Sequence, residues 1–87
     1  MQKYVKVYFD FFKLGIDDYI LCQGCNRNKA NDIHHLAFRS QGGKDEINNL
    51  IALCRECHNK AHSNKEFNEL LRKQHVNRIK RITENKS

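Results

Sequence analysis

Apolar residues follow different rhythms in successive parts of this chain. Between Gln2 and Leu14 the polar positions Lys3, Lys6, Asp10 and Lys13 recur at spacings of three and four, with Tyr, Val, Phe and Leu between them. That period predicts an amphipathic helix over residues 1–15, with Gly15 as its stop. Tyr4-Val5-Lys6-Val7-Tyr8-Phe9 is also rich in β-formers, so a strand is the competing reading. The middle of the chain carries short apolar runs, Ile33 to Phe38 and Leu50 to Leu53, each of strand length. Between them Gln41-Gly42-Gly43-Lys44-Asp45 is turn chemistry and opens a loop that closes at Asn49. After that the helical period returns. His58 to His62 predicts at least one helical turn, Ser63-x-x-Glu66 has the pattern of a capping box, and Phe67, Leu70, Leu71, Val76, Ile79 and Ile82 carry an apolar stripe over residues 64–83.

With 87 residues the chain is near the size at which one hydrophobic core barely stabilises a fold, and small domains lean on a metal or on disulfides. One stapled α+β domain over residues 1–87 is expected. A mean hydropathy of −0.81 and the lack of any long apolar run predict no membrane span. The charged N-terminus lacks the pattern of a secretory signal, so a cytoplasmic location is expected. In such a reducing compartment the pairs Cys22/Cys25 and Cys54/Cys57, separated by 28 residues, read as a tetrahedral zinc site rather than as disulfides. Gly24 supplies the tight turn between the first two ligands. A closed four-thiolate site leaves no open position for a substrate, so this zinc is structural.

The net charge of +6 is concentrated at the C-terminal end, where Lys60 to Ser87 holds eight Lys or Arg against three Glu. A polyanion partner and a merely solvated helix face explain that excess equally well. The histidines break the tie. His58 and His62, at i and i+4 on a helix, face the same way, the spacing needed to hold one cation. Placed opposite a strand bearing His34, they make a three-nitrogen site with open positions, as catalytic metals have. His35 would point to the other face of that strand. A neutral histidine there is suited to deprotonating water at neutral pH, and Asn49 is placed to orient it through the ring or the loop backbone.

Taken together, Cys22, Cys25, His34-His35, Gly42-Gly43, Asn49-Leu50, Leu53-Cys54-x-x-Cys57-His58-Asn59-Lys60 and His62 resemble, in order, the His-Asn-His (HNH) endonucleases of ββα-metal fold, in the subclass with a four-cysteine zinc. The resemblance runs from about Ile20 to Ser63. It implies a ββα core over residues 20–63, with His34 and His58 as metal ligands, His35 as general base and Asn49 as the residue that orients it. His62 corresponds to an extra ligand found in colicin-type members. The resemblance further implies single-metal hydrolysis of DNA, nicking one strand or cutting both, with contacts mostly to backbone phosphates. Arg39, Lys44, Arg55 and Lys60 lie in or beside the motif and are candidates for those contacts.

Family members often carry Asp where this chain has His34, and a nitrogen ligand shifts preference from magnesium toward manganese, nickel or zinc. The family's frequent proline after the His pair is replaced by Ala37-Phe38. The rival reading is a zinc-stabilised nucleic-acid-binding module without catalysis, which would not need His34, His35, Asn49 and His58 together. A secreted, disulfide-bonded toxin is disfavoured by the N-terminus. The protein is expected as a monomer or as a homodimer through the Phe67 to Ile82 stripe. Free-standing members of this size serve phage packaging, restriction, mobile elements and repair.

Overall fold

The N-terminal apolar segment is a helix: α1 spans Lys3–Phe12 in the computed structural model, which describes residues 2–38 and 42–84. It stops short of Gly15 because Lys13 adopts the left-handed conformation, with φ 56°. The Lys13 N–H then donates to Asp10 O and the Leu14 N–H to Phe9 O, a Schellman closure that lysine rather than glycine provides. Leu14 and Phe9 join the same apolar cluster, which anchors the closure.

Strands β1 (Asp32–His35) and β2 (Leu50–Leu53) pair antiparallel, with His34 opposite Ile51 and His35 opposite Leu50. Strand β1 begins one residue earlier and ends sooner than the apolar run predicted, because after the Leu36 N–H bonds to Asn49 O the chain turns into the loop. Every residue of β2 is buried, and its side chains alternate between two clusters. Leu50 and Ala52 pack with Tyr8 of α1, whereas Ile51 and Leu53 pack with Cys22, Leu36, Cys54, Ala61 and Leu71. Helix α1 thus covers one face of the sheet, and α2 (Arg55–Ser63) and α3 (Lys65–Glu84) cover the other. β1, β2 and α2 form the ββα unit, flanked by a helix at each end, as expected.

The capping signal falls one residue away from its predicted position. Asn64 Oδ1 accepts from the Phe67 N–H at 3.0 Å and so starts α3, while its own N–H closes α2 on Lys60 O. Ser63 instead bonds backward, its Oγ donating to Asn59 O. Leu71, His75 and Ile79 of α3 are buried and Phe67 packs on the core, whereas Leu70 is 52% and Val76 36% exposed. Much of the apolar stripe is therefore spent on the chain's own interior rather than left for a second copy. Among the described residues no helix is long and apolar enough to cross a membrane.

Candidate functional site

The four cysteines converge. Their Sγ atoms lie within 4.8 Å of one another, and all four are free thiols rather than disulfides. Cys22 and Cys25 come from a knuckle closed by an isolated bridge between Leu21 and Lys29, and Cys54 and Cys57 from the junction of β2 with α2. The positive φ in the knuckle belongs to Asn26, not Gly24. Gly24 is needed for a different reason: a Cβ there would lie 3.0 Å from Cys57 Sγ and 3.3 Å from a Leu53 methyl. The backbone N–H groups of Asn28 and Arg27 draw the Cys25 thiol down to about 6. Burial and the neighbouring thiols push Cys57 up. Such crowding of sulfur ligands is what a divalent cation relieves, and a closed set of four thiolates fits a structural zinc.

A second cluster joins His34, His58 and His62, one ring nitrogen of each lying within 4.8 Å of the others. His58 Nε2 and His62 Nε2 face each other at 3.1 Å. Two imidazoles about 2.1 Å from one tetrahedral ion place their nitrogens about 3.4 Å apart, so this spacing suits shared coordination. His58 Nδ1–H donates to Asp32 at 3.0 Å, which fixes the tautomer and turns Nε2 toward the cluster. His34 Nε2–H donates to Asn68 Oδ1 at 2.9 Å, and Asn68 in turn donates to Leu36 O. Burial lowers the His34 pKa to about 4, keeping the ring in the neutral form that ligates. From buried His34 through half-buried His58 to exposed His62, the cluster opens outward.

His35, on the α1 face of β1, has the Tyr4 ring 4.7 Å away and donates from Nε2 to Asp45 Oδ1 at 2.7 Å. Asn49 clamps the loop backbone: its Oδ1 accepts from the Ala37 N–H at 2.7 Å, and its Nδ2 donates to Ala37 O and Lys44 O. Because β1 is short and at the sheet edge, both histidines reach one opening, a cleft of about 470 Å³ lined by Tyr4, Ile33, His34, His35, Phe38, His58 and His62. A larger cavity of about 760 Å³, bordered by Tyr19, Leu21 and Arg78, holds neither cluster.

Of the cations expected to contact phosphate, Arg39 lies outside the described residues. Lys44 is exposed; Arg55 is exposed but paired to Asp32 at 3.1 Å, and Lys60 sits over the Phe67 ring. Sequence reasoning missed Asp32, Asn68, Asp45 and Tyr4. Asp32 was legible, since strand alternation puts it on the same face as His34. Asn68 and Asp45 reach the site only through tertiary folding, and no local pattern marks them.

A model of the HNH endonuclease family matches residues 21–64, which span the cysteines, the histidine pair, Asn49 and helix α2. Over 66 residues the chain is 35% identical to the type IV methyl-directed restriction enzyme EcoKMcrA of Escherichia coli K12, an alignment covering 66% of this chain and 24% of that enzyme. The chain thus spans about a quarter of the curated relative it matches. No solved structure matches. With the family model covering half its length and every motif residue in the matched segment, the chain belongs to the HNH endonuclease family.

Proposed function

We propose that the chain hydrolyses DNA phosphodiester bonds, with His35 as general base, His34, His58 and His62 as ligands of a catalytic divalent ion, and the four cysteines as ligands of a structural zinc. The observation that supports this most is that His34, His35, His58 and His62 line one cleft, although the first two point to opposite faces of their strand. A divalent ion held there would supply Lewis-acid stabilisation of the charge developing on the phosphate. With Nε2 engaged by Asp45, His35 carries its lone pair on Nδ1, the atom that takes the proton from water. Asn49 keeps the loop closed beside it. Lys44, Lys60 and the basic residues of α3 attract the phosphate backbone, with little reading of sequence. The three-nitrogen donor set favours manganese, nickel or zinc and also admits magnesium.

The test is nicking of supercoiled plasmid across a panel of divalent metals, with His35→Ala alongside. Cleavage should stop in the variant while its fold and zinc content persist. Undiminished cleavage would remove His35 as the base. A wild-type protein that retards plasmid but cleaves it with none of the metals is instead a binding module. The relative's description as methyl-directed makes methylated plasmid the second substrate for this assay.

A further inference from the structure

We propose that Asp45 is the positioning residue of the nuclease site, the fixed acceptor that sets the tautomer and the ring angle of His35. The inference rests on His35 serving as the base. His35 Nε2 and Asp45 Oδ1 are 2.7 Å apart, and each side chain is only 14% exposed. A neutral imidazole that donates from Nε2 has its lone pair on Nδ1, so this one bond selects the nitrogen able to accept a proton. The Tyr4 ring packs 4.7 Å from the imidazole and narrows its freedom on the α1 side.

Asp45 is itself held in place by the loop that carries it. Asn49 Nδ2 donates to the carbonyl of Lys44, the residue before Asp45, and also to that of Ala37, two residues after His35. The Gly43 N–H donates to Phe38 O at 2.9 Å, and a Cβ on Gly43 would lie 1.8 Å from Ala37 O, so only glycine lets the loop lie this close to the end of β1. Asn49 and Gly43 thereby fix the acceptor against the strand that bears the base. In hydrolysis one water proton passes to His35 Nδ1 and the water oxygen bonds to phosphorus as the P–O3′ bond breaks, the leaving 3′ oxygen taking a proton from solvent. The Nε2–H stays on His35, hydrogen-bonded to Asp45, which exchanges no proton.

The experiment compares Asp45→Ala, Asp45→Asn and His35→Ala, and the double variant of Asp45→Ala with His35→Ala, by steady-state cleavage of an oligonucleotide duplex and by 15N NMR of the imidazole. Asp45→Ala should lower kcat about 10–100-fold, the scale seen when the hydrogen-bond partner of a metal-bound histidine is removed, with KM and zinc content unchanged. Asp45→Asn, which retains an acceptor oxygen, should recover most of that loss, and Asp45→Ala should add nothing in the His35→Ala background. The His35 ring should be the Nε2–H tautomer in the wild type and lose that preference in Asp45→Ala, a change that loop destabilisation alone does not produce. Wild-type kcat in Asp45→Ala beside an inactive His35→Ala overturns the role of Asp45 and leaves the base standing. Full activity in His35→Ala overturns the base itself. An unchanged tautomer in a folded Asp45→Ala protein also overturns the positioning role.

Discussion

Gly42 and Gly43 are neighbours with unlike constraints. Gly42 has φ +83° and open space around it, so Gly42→Ala should cost only the left-handed strain of about 1–2 kcal/mol. Gly43→Ala would drive a methyl into the backbone of Ala37, and the loop cannot close around it. In plasmid assays Gly43→Ala should lose cleavage while zinc stays bound, and Gly42→Ala should remain active. His75 offers a test by pH. Its Nε2–H donates to Ile47 O at 2.7 Å and its Nδ1 accepts from Gln23, whose Oε1 accepts from the Tyr8 hydroxyl, so a proton on Nδ1 would face an N–H donor. Burial, the main cause, holds the His75 pKa below its ordinary 6.5, so the unfolded chain binds the proton more readily than the folded one. Stability from this site is complete above about pH 6.5 and is lost as pH falls from there toward the folded-state value. Urea unfolding should therefore weaken more steeply on acidification in the wild type than in His75→Gln. The interior role of His75 is not legible in the sequence, because the α3 stripe gives no sign of Gln23, a distant partner from the knuckle of Cys22 and Cys25.

At the scale of elements, Asn64 joins two helices within a single residue. Asn64→Ala should destabilise the fold by about 1 kcal/mol in chemical denaturation, and Ser63→Ala by far less, since the Ser63 hydroxyl only returns to carbonyls of its own helix. The pattern Ser63-x-x-Glu66 drew the cap one residue early, because sequence alone does not show which hydroxyl or amide turns forward. Helix periodicity, by contrast, carried α1, α2 and α3 to within a few residues of their observed ends. Deciding α1 in favour of helix over strand took an apolar face wide enough to cover Leu50 and Ala52. Leu71, buried between α3 and the sheet, ties the C-terminal helix to the cysteine cluster. Leu71→Ala should cost about 2–5 kcal/mol, measured as a lower denaturation midpoint.

For the whole molecule, a zinc ion held by the four cysteines would take over part of the stabilising role that a larger core would have. The cysteine cage joins the knuckle to the β2–α2 junction, and Cys22, Leu53, Cys54 and Leu71 belong to one cluster, so the cage and the apolar interior stand or fall together. Cys54→Ala should unfold the domain and abolish stoichiometric zinc in metal analysis, whereas mild chelation should remove activity alone, restored by manganese, nickel or magnesium. The cage and the histidine cluster were readable from spacing because ligands must repeat at fixed intervals. Asn68 on α3, which bonds His34, and Asp45 in a loop, which bonds His35, were not, since neither belongs to a local pattern.

Alternation along β1 sends Asp32 and His34 to the side of α2 and α3, and His35 to the side of α1. If these residues have the proposed roles, ion preference and proton transfer can be retuned separately. A library varying only Asp32 and Asn68 would explore which cation the cleft accepts, while the His35–Asp45 pair on the opposite face of the strand keeps its geometry.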